Sequence, residues 1–453
     1  MRARSALALT LSILTLAWLA VLPSIGPLVD AGGTAGGAWL LRQQLLYLSG
    51  LLSIGLMALA LVLALRLPWL ERPLGGMDQV YRLHKWAGVG AALAAMAHWA
   101  TKESSGWMTV LWSRAGKPAR DAVLPWLTGS RGLAKDVGEW AFYLLLAAIA
   151  LTLLTRLLAY RPWRLLHRAM PVLFLALAFH SLALTPLAWW SQPPGLLMGA
   201  LLALGSAAAL WSLAGRIGQR RRHAARIHAL QVLGEGPGAP LEVVCAVAPS
   251  WPGHRAGQFA FVRFDSGEGA HPFTIASAPA SLGRDASGRE LLRLVIKPLG
   301  DYTRTLRGRL RHGQALDIEG PYGQFDGRGA AARQQVWVAA GVGITPFLAL
   351  LEARQGDAAP AGALPAQLHY CTRNAAADPL LARLQTLCAQ ALPPVRLTVH
   401  DAARGQRLTP AALAATPGAL DLWYCGPQGL GDALADQARH EPWRLHRESF
   451  AMR

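Results

Sequence analysis

Residues 84–98 read HKWAGVGAALAAMAH, an apolar run with a histidine at each end. On an α-helix, a spacing of 14 residues returns to within about 40° of the same face and rises about 21 Å. His84 and His98 would therefore lie on one stripe, one near each surface of a lipid bilayer. Ionisable side chains at membrane depth are costly, so both histidines are functional candidates.

Six stretches around this run approach the roughly 20 apolar residues that a helix needs to cross the hydrocarbon core. They cover approximately residues 5–25, 44–65, 82–101, 139–159, 165–188 and 194–215. The first has a basic start like that of a signal peptide, but five more runs follow and no clear cleavage motif ends it. We therefore predict a retained helix, and an α-helical membrane bundle of six spans over residues 1–215.

Composition agrees with a membrane segment. Of the 453 residues 53% are hydrophobic and 15% are charged, which excludes a disordered chain. The net charge of +18 would indicate nucleic acid in a soluble protein, yet the basic residues of the first half cluster at one set of helix ends. We predict that both termini and this basic side are cytoplasmic, in a bacterial inner membrane, and that no nucleic acid is bound.

His167 and His180 form a second pair in the apolar half, which contains no histidine beyond these four. Their spacing of 13 residues leaves them about 140° out of phase on an ideal helix, and Pro171 between them is able to break the helix. Each histidine alone is equally well explained by a hydrogen bond between helices. Two pairs of nearly equal rise favour axial ligation of two haem groups.

The second half of the chain changes pattern twice. A basic linker at 216–229 follows the last apolar run, and we interpret it as a positive-inside anchor rather than a lipid-headgroup site. Short β-rich segments with Gly/Pro turns predict an antiparallel β-barrel domain over residues 230–330. Strand–helix alternation then predicts an α/β doubly wound nucleotide-binding domain over residues 331–453.

A glycine turn directly follows the first strand of this α/β domain. It reads GVGITP and contains Gly341, Gly343, Thr345 and Pro346. The glycines let the backbone approach a pyrophosphate, and the following helix N-terminus favours an anion. The third glycine of the usual fingerprint is missing, so the turn alone is weak evidence. Cys425 and Gly426 end a later strand at the same sheet edge and strengthen it.

The predicted barrel contains a second set of binding residues. They comprise an aromatic plane, hydroxyls, a cation and turn amides, namely His271, Pro272, Phe273, Thr274, Lys297, Gly300 and Thr303. A flavin and its diphosphate need ring stacking, polar contacts and charge neutralisation of this kind. Without the α/β domain, a hydrophobic strand and an ordinary turn explain the same residues.

The four cysteines, all in the second half, are widely spaced. This spacing excludes a plant-type iron–sulfur cluster and a zinc site, and reduced thiols fit the cytoplasm.

Taken in order, the histidine pairs, HPFTIASAP, GDYT, GPYG, GVGITPF, YCTRN and CGP resemble the NADPH oxidase / ferric reductase superfamily over nearly the whole chain. The resemblance implies FAD, two haem b groups and NADPH as cofactors, with NADH possible. His84 and His167 would ligate an inner haem, and His98 and His180 an outer one.

The resemblance also implies a path from cytoplasmic NAD(P)H through FAD and both haems to oxygen, giving superoxide, or to a ferric chelate. Thr274, Cys425 and Phe450 would act at the reacting atoms, Phe450 by covering the flavin, although three residues follow it. Arg373 would pair with a 2′-phosphate, or be a solvated surface residue. Lys102 stands where the oxidases of the family carry a further histidine.

The alternative interpretation is a haem-bearing electron-transfer or redox-sensing module that reduces a quinone or a partner protein. No obligatory protein partner is evident from the sequence.

Overall fold

The computed structural model describes residues 3–22, 33–112, 114, 117–153, 160–265, 269–330, 332–355, 363–414, 416 and 418–448. The chain divides into two compact units, Met1–Ile217 and Gly218–Arg453. The first is helical and the second contains both sheets.

The described helices of the helical unit are α1 (Ala3–Leu19), α2 (Gly33–Ala64), α3 (Pro68–Leu74), α4 (Met77–Trp112), α5 (Arg131–Leu153), α6 (Tyr160–Arg168), α7 (Met170–Leu184) and α8 (Pro193–Leu213). Their shared core is aliphatic, with Phe174 fully buried against small residues such as Gly205, where a Cβ would lie 2.2 Å from the Phe174 ring. Small residues of this kind let membrane helices approach closely.

The two histidine-bearing segments differ in continuity. Helix α4 runs unbroken for 36 residues and carries both His84 and His98. The second segment is interrupted, since α6 ends at Arg168 and α7 begins at Met170. Pro171 has no backbone N–H to offer the carbonyl of His167 four residues earlier, which accounts for a break between His167 and His180.

Three described helical stretches are long and apolar enough, by length and composition, to cross a membrane. They are Gly33–Ala64, Arg164–Leu184 and Pro193–Leu213. The prediction of six spans is therefore not confirmed. Helix α1 has only 17 residues, while polar and charged residues at the ends of α4 and α5 lower their mean hydropathy.

Large apolar side chains are exposed along the helical unit, among them Leu93, Leu144 and Leu204 at 58%, 61% and 62%. In the second unit Leu299 and Leu392 are the large apolar side chains found exposed among its described residues. An apolar surface of this extent on a helical bundle suits contact with lipid.

The second unit begins with six strands and one helix: β1 (Arg222–Val232), β2 (Leu241–Val247), β3 (Phe259–Arg263), β4 (His271–Thr274), β5 (Leu291–Ile296), α9 (Asp301–Arg309) and β6 (Ala315–Tyr322). Strand β1 starts inside the stretch predicted as a linker, because Ala225 and Ile227 alternate inward and are buried. The strands pair antiparallel in the order β4-β3-β6-β1-β2-β5.

The prediction of a closed β-barrel is wrong, because this antiparallel sheet is not closed. Its edge strands β4 and β5 approach each other through a single bridge between Ile275 and Leu294. The edge strand β4 has four residues, which is too short for a continuous ladder with β5.

The rest of the unit alternates strand and helix: β7 (Gln334–Ala340), α10 (Thr345–Glu352), β8 (Ala366–Thr372), α11 (Leu381–Gln390), β9 (Val395–Asp401), α12 (Pro410–Ala414), β10 (Leu420–Cys425), α13 (Gln428–Gln437) and β11 (Trp443–Glu448). The strands are parallel in the order β11-β10-β7-β8-β9. Strands β8 and β9 are added on one side of β7, and β10 and β11 on the other, so the strand order switches between β7 and β10. Ligands bind at such a switch point.

Candidate functional site

The four histidines of the helical unit face each other in two pairs. The ring centroids of His84 and His167 are 5.8 Å apart at an interplanar angle of 75°. Those of His98 and His180 are 6.2 Å apart at 82°. These are the two pairs that the resemblance assigns, one member of each on α4 and the other on α6 or α7.

Backbone carbonyls of neighbouring helices orient three of the rings. The Nδ1 atoms lie 2.8 Å from Ala60 O for His84, 2.9 Å from Leu46 O for His98 and 2.7 Å from Ala134 O for His180. A carbonyl oxygen only accepts, so each Nδ1 carries the proton and donates. Each Nε2 then keeps its lone pair, which is the state that a metal ligand requires.

The spacing fits a metal ion held between two imidazoles. With bonds of about 2 Å from each nitrogen to the metal, ring centroids fall roughly 6 Å apart, close to both observed separations. Neutral imidazoles suit the ligand positions of a haem. The residues present therefore fit the implied group.

Two glycines face the His98–His180 pair. A Cβ on Gly138 of α5 would lie 2.1 Å from Nδ1 of His180. A Cβ on Gly50 of α2 would lie 3.2 Å from both Nδ1 and Cε1 of His98. The His180 ring thus occupies space that only glycine leaves open at position 138.

The cations near this pair are already engaged. Lys102, one turn beyond His98, lies 2.8 Å from Glu139 and 3.0 Å from Glu103. Arg42 donates to the carbonyl of Lys102 at 2.8 Å and to the Ser104 hydroxyl at 3.2 Å. Two carboxylates offset the charge of Lys102, whereas Arg42 donates to uncharged groups and keeps its charge.

A second polar cluster involves the loop before α5. Asp121 accepts hydrogen bonds from Tyr47 and, at 2.7 Å, from Gln43, both on α2. Arg131 donates to the backbone carbonyl of Asp121 at 2.8 Å. These contacts fasten the loop to α2 beside Leu46, whose carbonyl orients His98.

In the second unit the glycine turn 341–346, called the nucleotide turn below, lies at the predicted sheet edge. Gly341 has φ +56, in the left-handed region that favours glycine. A Cβ on Gly343 would lie 2.2 Å from the carbonyl oxygen of Cys425. The turn after β7 and the Cys425–Gly426 end of β10 are therefore in direct contact, with no room for a side chain between them.

Thr345 and Pro346 begin α10 and are buried, and the Thr345 hydroxyl donates to Val342 O at 3.0 Å. This bond closes the turn, so the backbone amides at the helix start are held in place. A preorganised turn of this kind suits a diphosphate.

Cys425 is buried beside Glu448, its register partner on β11. Burial raises the pKa of the Cys425 thiol far above its ordinary value, and the Glu448 carboxylate adds to the effect. The thiol is therefore protonated at neutral pH, which argues against a thiolate nucleophile.

The predicted flavin residues come together at the edge of the antiparallel sheet. His271 of β4 stacks on Tyr302 of α9, with centroids 4.4 Å apart at 17°. Thr274 is buried and Phe273 is half-buried beside Pro272 in the same strand. The HPFT strand and the GDYT helix start are thus neighbours.

Two of the predicted contacts have further partners. The Thr303 hydroxyl accepts from the amide of Gly300 at 3.0 Å and so caps α9. Nζ of Lys297 lies 3.7 Å from the point where a Cβ on Gly341 would stand. Lys297 therefore brings a positive charge to the nucleotide turn, where a phosphate would need it.

Arg373 follows β8 with its side chain exposed to solvent, and its carbonyl accepts from Ala403 at 2.9 Å. Phe450 lies outside the described residues. Sequence reasoning missed Glu448, which lies beside both Cys425 and Gly323, where a Cβ would stand 2.9 Å from the carboxylate. Its position at the end of the last strand was the available signal.

A helical unit with an apolar surface, and a unit that brings the predicted flavin and nucleotide residues together, are typical of a membrane oxidoreductase. Residues 49–178 match the family of the ferric reductase like transmembrane component, and residues 237–326 match an FAD-binding domain. These two domain matches are consistent with the ferric reductase/NADPH oxidase superfamily, so the resemblance read from the motifs is confirmed.

Individual relatives match part of the chain. The vanillate O-demethylase oxidoreductase of Pseudomonas putida is 31% identical over 154 residues, 33% of this chain and 45% of that protein. The heme-dependent oxidative N-demethylase beta subunit of Ectopseudomonas mendocina is 30% identical over 213 residues, 46% of this chain and 62% of that protein. The chain spans about half the length of such relatives.

Among solved structures, ferredoxin-NADP+ reductase from Plasmodium falciparum is 14% identical, with a TM-score of 0.40. The match covers 51% of this chain and 97% of that one.

Proposed function

We propose that this oxidoreductase carries electrons from NAD(P)H across a membrane through FAD and two haem b groups. Bound FAD would take a hydride and release single electrons, which haem iron would carry onward. The acceptor on the opposite face would be oxygen, giving superoxide, or a ferric chelate. The observation that supports this most directly is the two facing histidine pairs on shared helical segments.

The chain's own residues would hold each group. His84 with His167, and His98 with His180, would supply the axial nitrogens, with the carbonyls of Ala60, Leu46 and Ala134 fixing the proton on Nδ1 of three rings. Along α4, His84 and His98 are separated by a rise of roughly 20 Å, so each would serve a different haem.

In the second unit, Phe273 and Thr274 would contact the flavin while Lys297 neutralises diphosphate charge. The turn amides at Gly341–Thr345 and the close approach at Cys425–Gly426 would seat the nicotinamide nucleotide. Arg373 would select NADPH through its 2′-phosphate. The second unit would lie on the cytoplasmic side, with the basic helix ends.

Oxygen is favoured over an anionic chelate by the charges near the His98–His180 pair. The positive charges of Lys102 and Arg42 are balanced by the two carboxylates of Glu103 and Glu139, which pair with Lys102. A small neutral acceptor needs no free cation, whereas a chelate carrying several carboxylates does.

A protein acceptor is the second candidate. The relatives include the reductase component of carnitine monooxygenase in Escherichia coli, 31% identical over 156 residues. A chain that served a partner would carry the same flavin and nucleotide residues, so the sequence match alone favours neither acceptor.

Acceptor-resolved turnover of the purified full-length chain in lipid nanodiscs separates these functions. NADPH and NADH are each supplied with oxygen or a ferric chelate alone, and superoxide and ferrous iron are measured separately. We expect sustained NADPH oxidation with superoxide formation. A single reduction of the bound cofactors, with no turnover, would leave the partner-dependent module as the function.

The haem assignment has its own measurement. Replacing His98 by Ala should remove about one of two b-type haems per chain, by absorbance and haem content. Retention of both would show that His98 is not a ligand.

A further inference from the structure

Four charged side chains form a closed ring between the antiparallel and parallel sheets of the second unit. Glu242 lies 3.3 Å from Arg293 and 3.0 Å from Arg383. Glu352 lies 2.6 Å from Arg293 and 2.5 Å from Arg383. Charges alternate around this ion ring, so it is neutral as a whole.

Two members of the ion ring belong to the antiparallel sheet and two to helices that accompany the parallel sheet. Glu242 is on β2 and Arg293 on β5, next to the flavin strand, whereas Glu352 ends α10 and Arg383 is on α11. Side-chain exposure is 9% for Arg293, 10% for Glu352 and 13% for Glu242, with Arg383 at 29%. The ring is therefore largely removed from water. Ion pairs away from water depend most strongly on their geometry.

The second carboxylate oxygen of Glu352 holds the loop that follows the flavin strand. It accepts from the backbone amide of Ala278 at 3.1 Å and from the Ser281 hydroxyl at 3.0 Å. Only Ile275, Ala276 and Ser277 separate this loop from Thr274. One carboxylate thus binds the flavin side through both of its oxygens.

Glu352 also ends the helix that begins at the nucleotide turn. Helix α10 has eight residues and so spans roughly 12 Å, with Thr345 at one end and Glu352 at the other. Any shift of Glu352 would therefore move the turn relative to Phe273 and Thr274.

Apolar contacts also cross this boundary. Ala256, Ala276 and Val295 of the antiparallel sheet join the core that includes Phe347 and Leu351 of α10. Apolar burial is strong but non-directional, so it holds the two sides together without fixing their register. Directional ion pairs and hydrogen bonds can fix it.

We propose that the ion ring, centred on Glu352, is a positioning device that holds the nucleotide turn at hydride-transfer distance from the flavin. This rests on the proposed function. In the step it serves, the C–H bond of the reduced nicotinamide breaks and its hydride, one proton with two electrons, passes to the flavin. A misplacement of about 1 Å lowers such rates by up to about 100-fold.

Flavin reduction in full-length protein, followed by rapid mixing over a range of NADPH concentrations, tests the role. Glu352→Gln keeps the shape but removes the charge, and Arg383→Met breaks the ring at its most exposed member. We expect the limiting rate to fall about tenfold in each, with the NADPH dissociation constant changed by less than about threefold. Arg383→Lys should recover part of the rate.

Hydrogen exchange supplies a readout that does not depend on activity. In Glu352→Gln, peptides covering residues 276–283 and 345–352 should exchange faster than in the wild type while flavin content stays the same. Arg439→Met is the matched control, because Arg439 pairs with Asp436 on the surface of the same domain. It should change neither rate nor exchange.

Ring members that act as a unit should be non-additive, so Glu352→Gln combined with Arg383→Met should lose little more than either single change. A wild-type limiting rate in both single variants, or a loss that appears only in NADPH affinity, would refute the positioning role. If the Glu352→Gln variant no longer binds flavin, the limiting rate of flavin reduction in Arg383→Met alone tests the positioning role. Absence of flavin reduction by both NADPH and NADH in the wild type would instead refute the proposed function.

Discussion

The helical unit and the second unit place their functional groups by different means. In the helical unit the groups are side chains carried on helices, and the His98 and His180 rings meet across α4 and α7. In the second unit the nucleotide turn is backbone, pressed against the end of a neighbouring strand at Gly343 and Cys425. A side chain is free to rotate away from an intruding atom, whereas the ends of two paired strands are not.

Glycines show this difference directly. At Gly343 an added Cβ would meet carbonyl and amide atoms of the backbone, and at Gly138 it would meet an imidazole ring. Both are closer than 3.0 Å, but only the ring has an alternative rotamer. The same substitution should therefore do more damage in the second unit.

Gly343→Ala should have the largest effect. The new Cβ would lie 2.2 Å from the Cys425 oxygen and 2.9 Å from the Gly426 nitrogen, so the turn or strand β10 must move. We expect NADPH-dependent flavin reduction to fall by more than about 100-fold, measured by rapid mixing, while the haem spectrum is unchanged.

Gly429→Ala is the control for this change. Gly429 lies in the first turn of α13, close in sequence to Cys425, and a Cβ there meets nothing within 4 Å. Its flavin reduction should match the wild type. Near-normal reduction in Gly343→Ala would mean that the backbone contact is not part of the nucleotide site.

Gly138→Ala should have the next largest effect, and in the other unit. The His180 ring must leave its place, which breaks its bond to the Ala134 carbonyl. We expect loss of about half of the bound haem, determined per chain by haem extraction, with flavin reduction by NADPH unaffected.

Gly132→Ala, in the first turn of the same helix, adds a Cβ that meets nothing within 4 Å. Its haem content should equal that of the wild type. Full haem content and an unaltered spectrum in Gly138→Ala would show that His180 does not hold a haem in this orientation.

Sequence alone supplied the pairing of these histidines but not their surroundings. The 14-residue spacing on α4 follows from helix geometry, and Pro171 marked the break between His167 and His180. The contact between Gly138 and His180 joins residues 42 positions apart on different helices. No local pattern encodes it, because helix packing decides which small residue faces which ring.

In the second unit, too, some features could be predicted from the sequence and others could not. The change to strand–helix alternation predicted a parallel sheet, and the motif glycines predicted the turn. The prediction that the antiparallel sheet closes into a barrel was wrong, because the number of predicted strands does not reveal that β4 is only four residues long. Glu352 and Arg383 went unnoticed because the ion ring assembles from four separate elements, each with an ordinary surface-type residue.

Arg373→Ala tests a side chain, not backbone, in the second unit, so its effect should be smaller and selective. Loss of a charge-assisted pair with a 2′-phosphate should lower the NADPH-to-NADH ratio of kcat/KM by about tenfold, with NADH turnover unchanged. Arg396→Ala on β9, an exposed arginine on the neighbouring strand, should leave the ratio unaltered. An unchanged ratio in Arg373→Ala would make Arg373 a solvated surface residue.

Gly50→Ala should have the smallest effect and measures how tightly the His98 ring is held. A Cβ there would lie 3.2 Å from Nδ1 and Cε1, so a displacement of a few tenths of an ångström accommodates it. Since the ring keeps the carbonyl of Leu46 as its acceptor, both haems should be retained, with a small change in the midpoint potential of one. Gly37→Ala on the same helix, where a Cβ meets nothing, should leave both potentials unchanged. Haem loss in Gly50→Ala as large as in Gly138→Ala would mean that the rings cannot adjust, and the contrast between movable side chains and fixed backbone would fail.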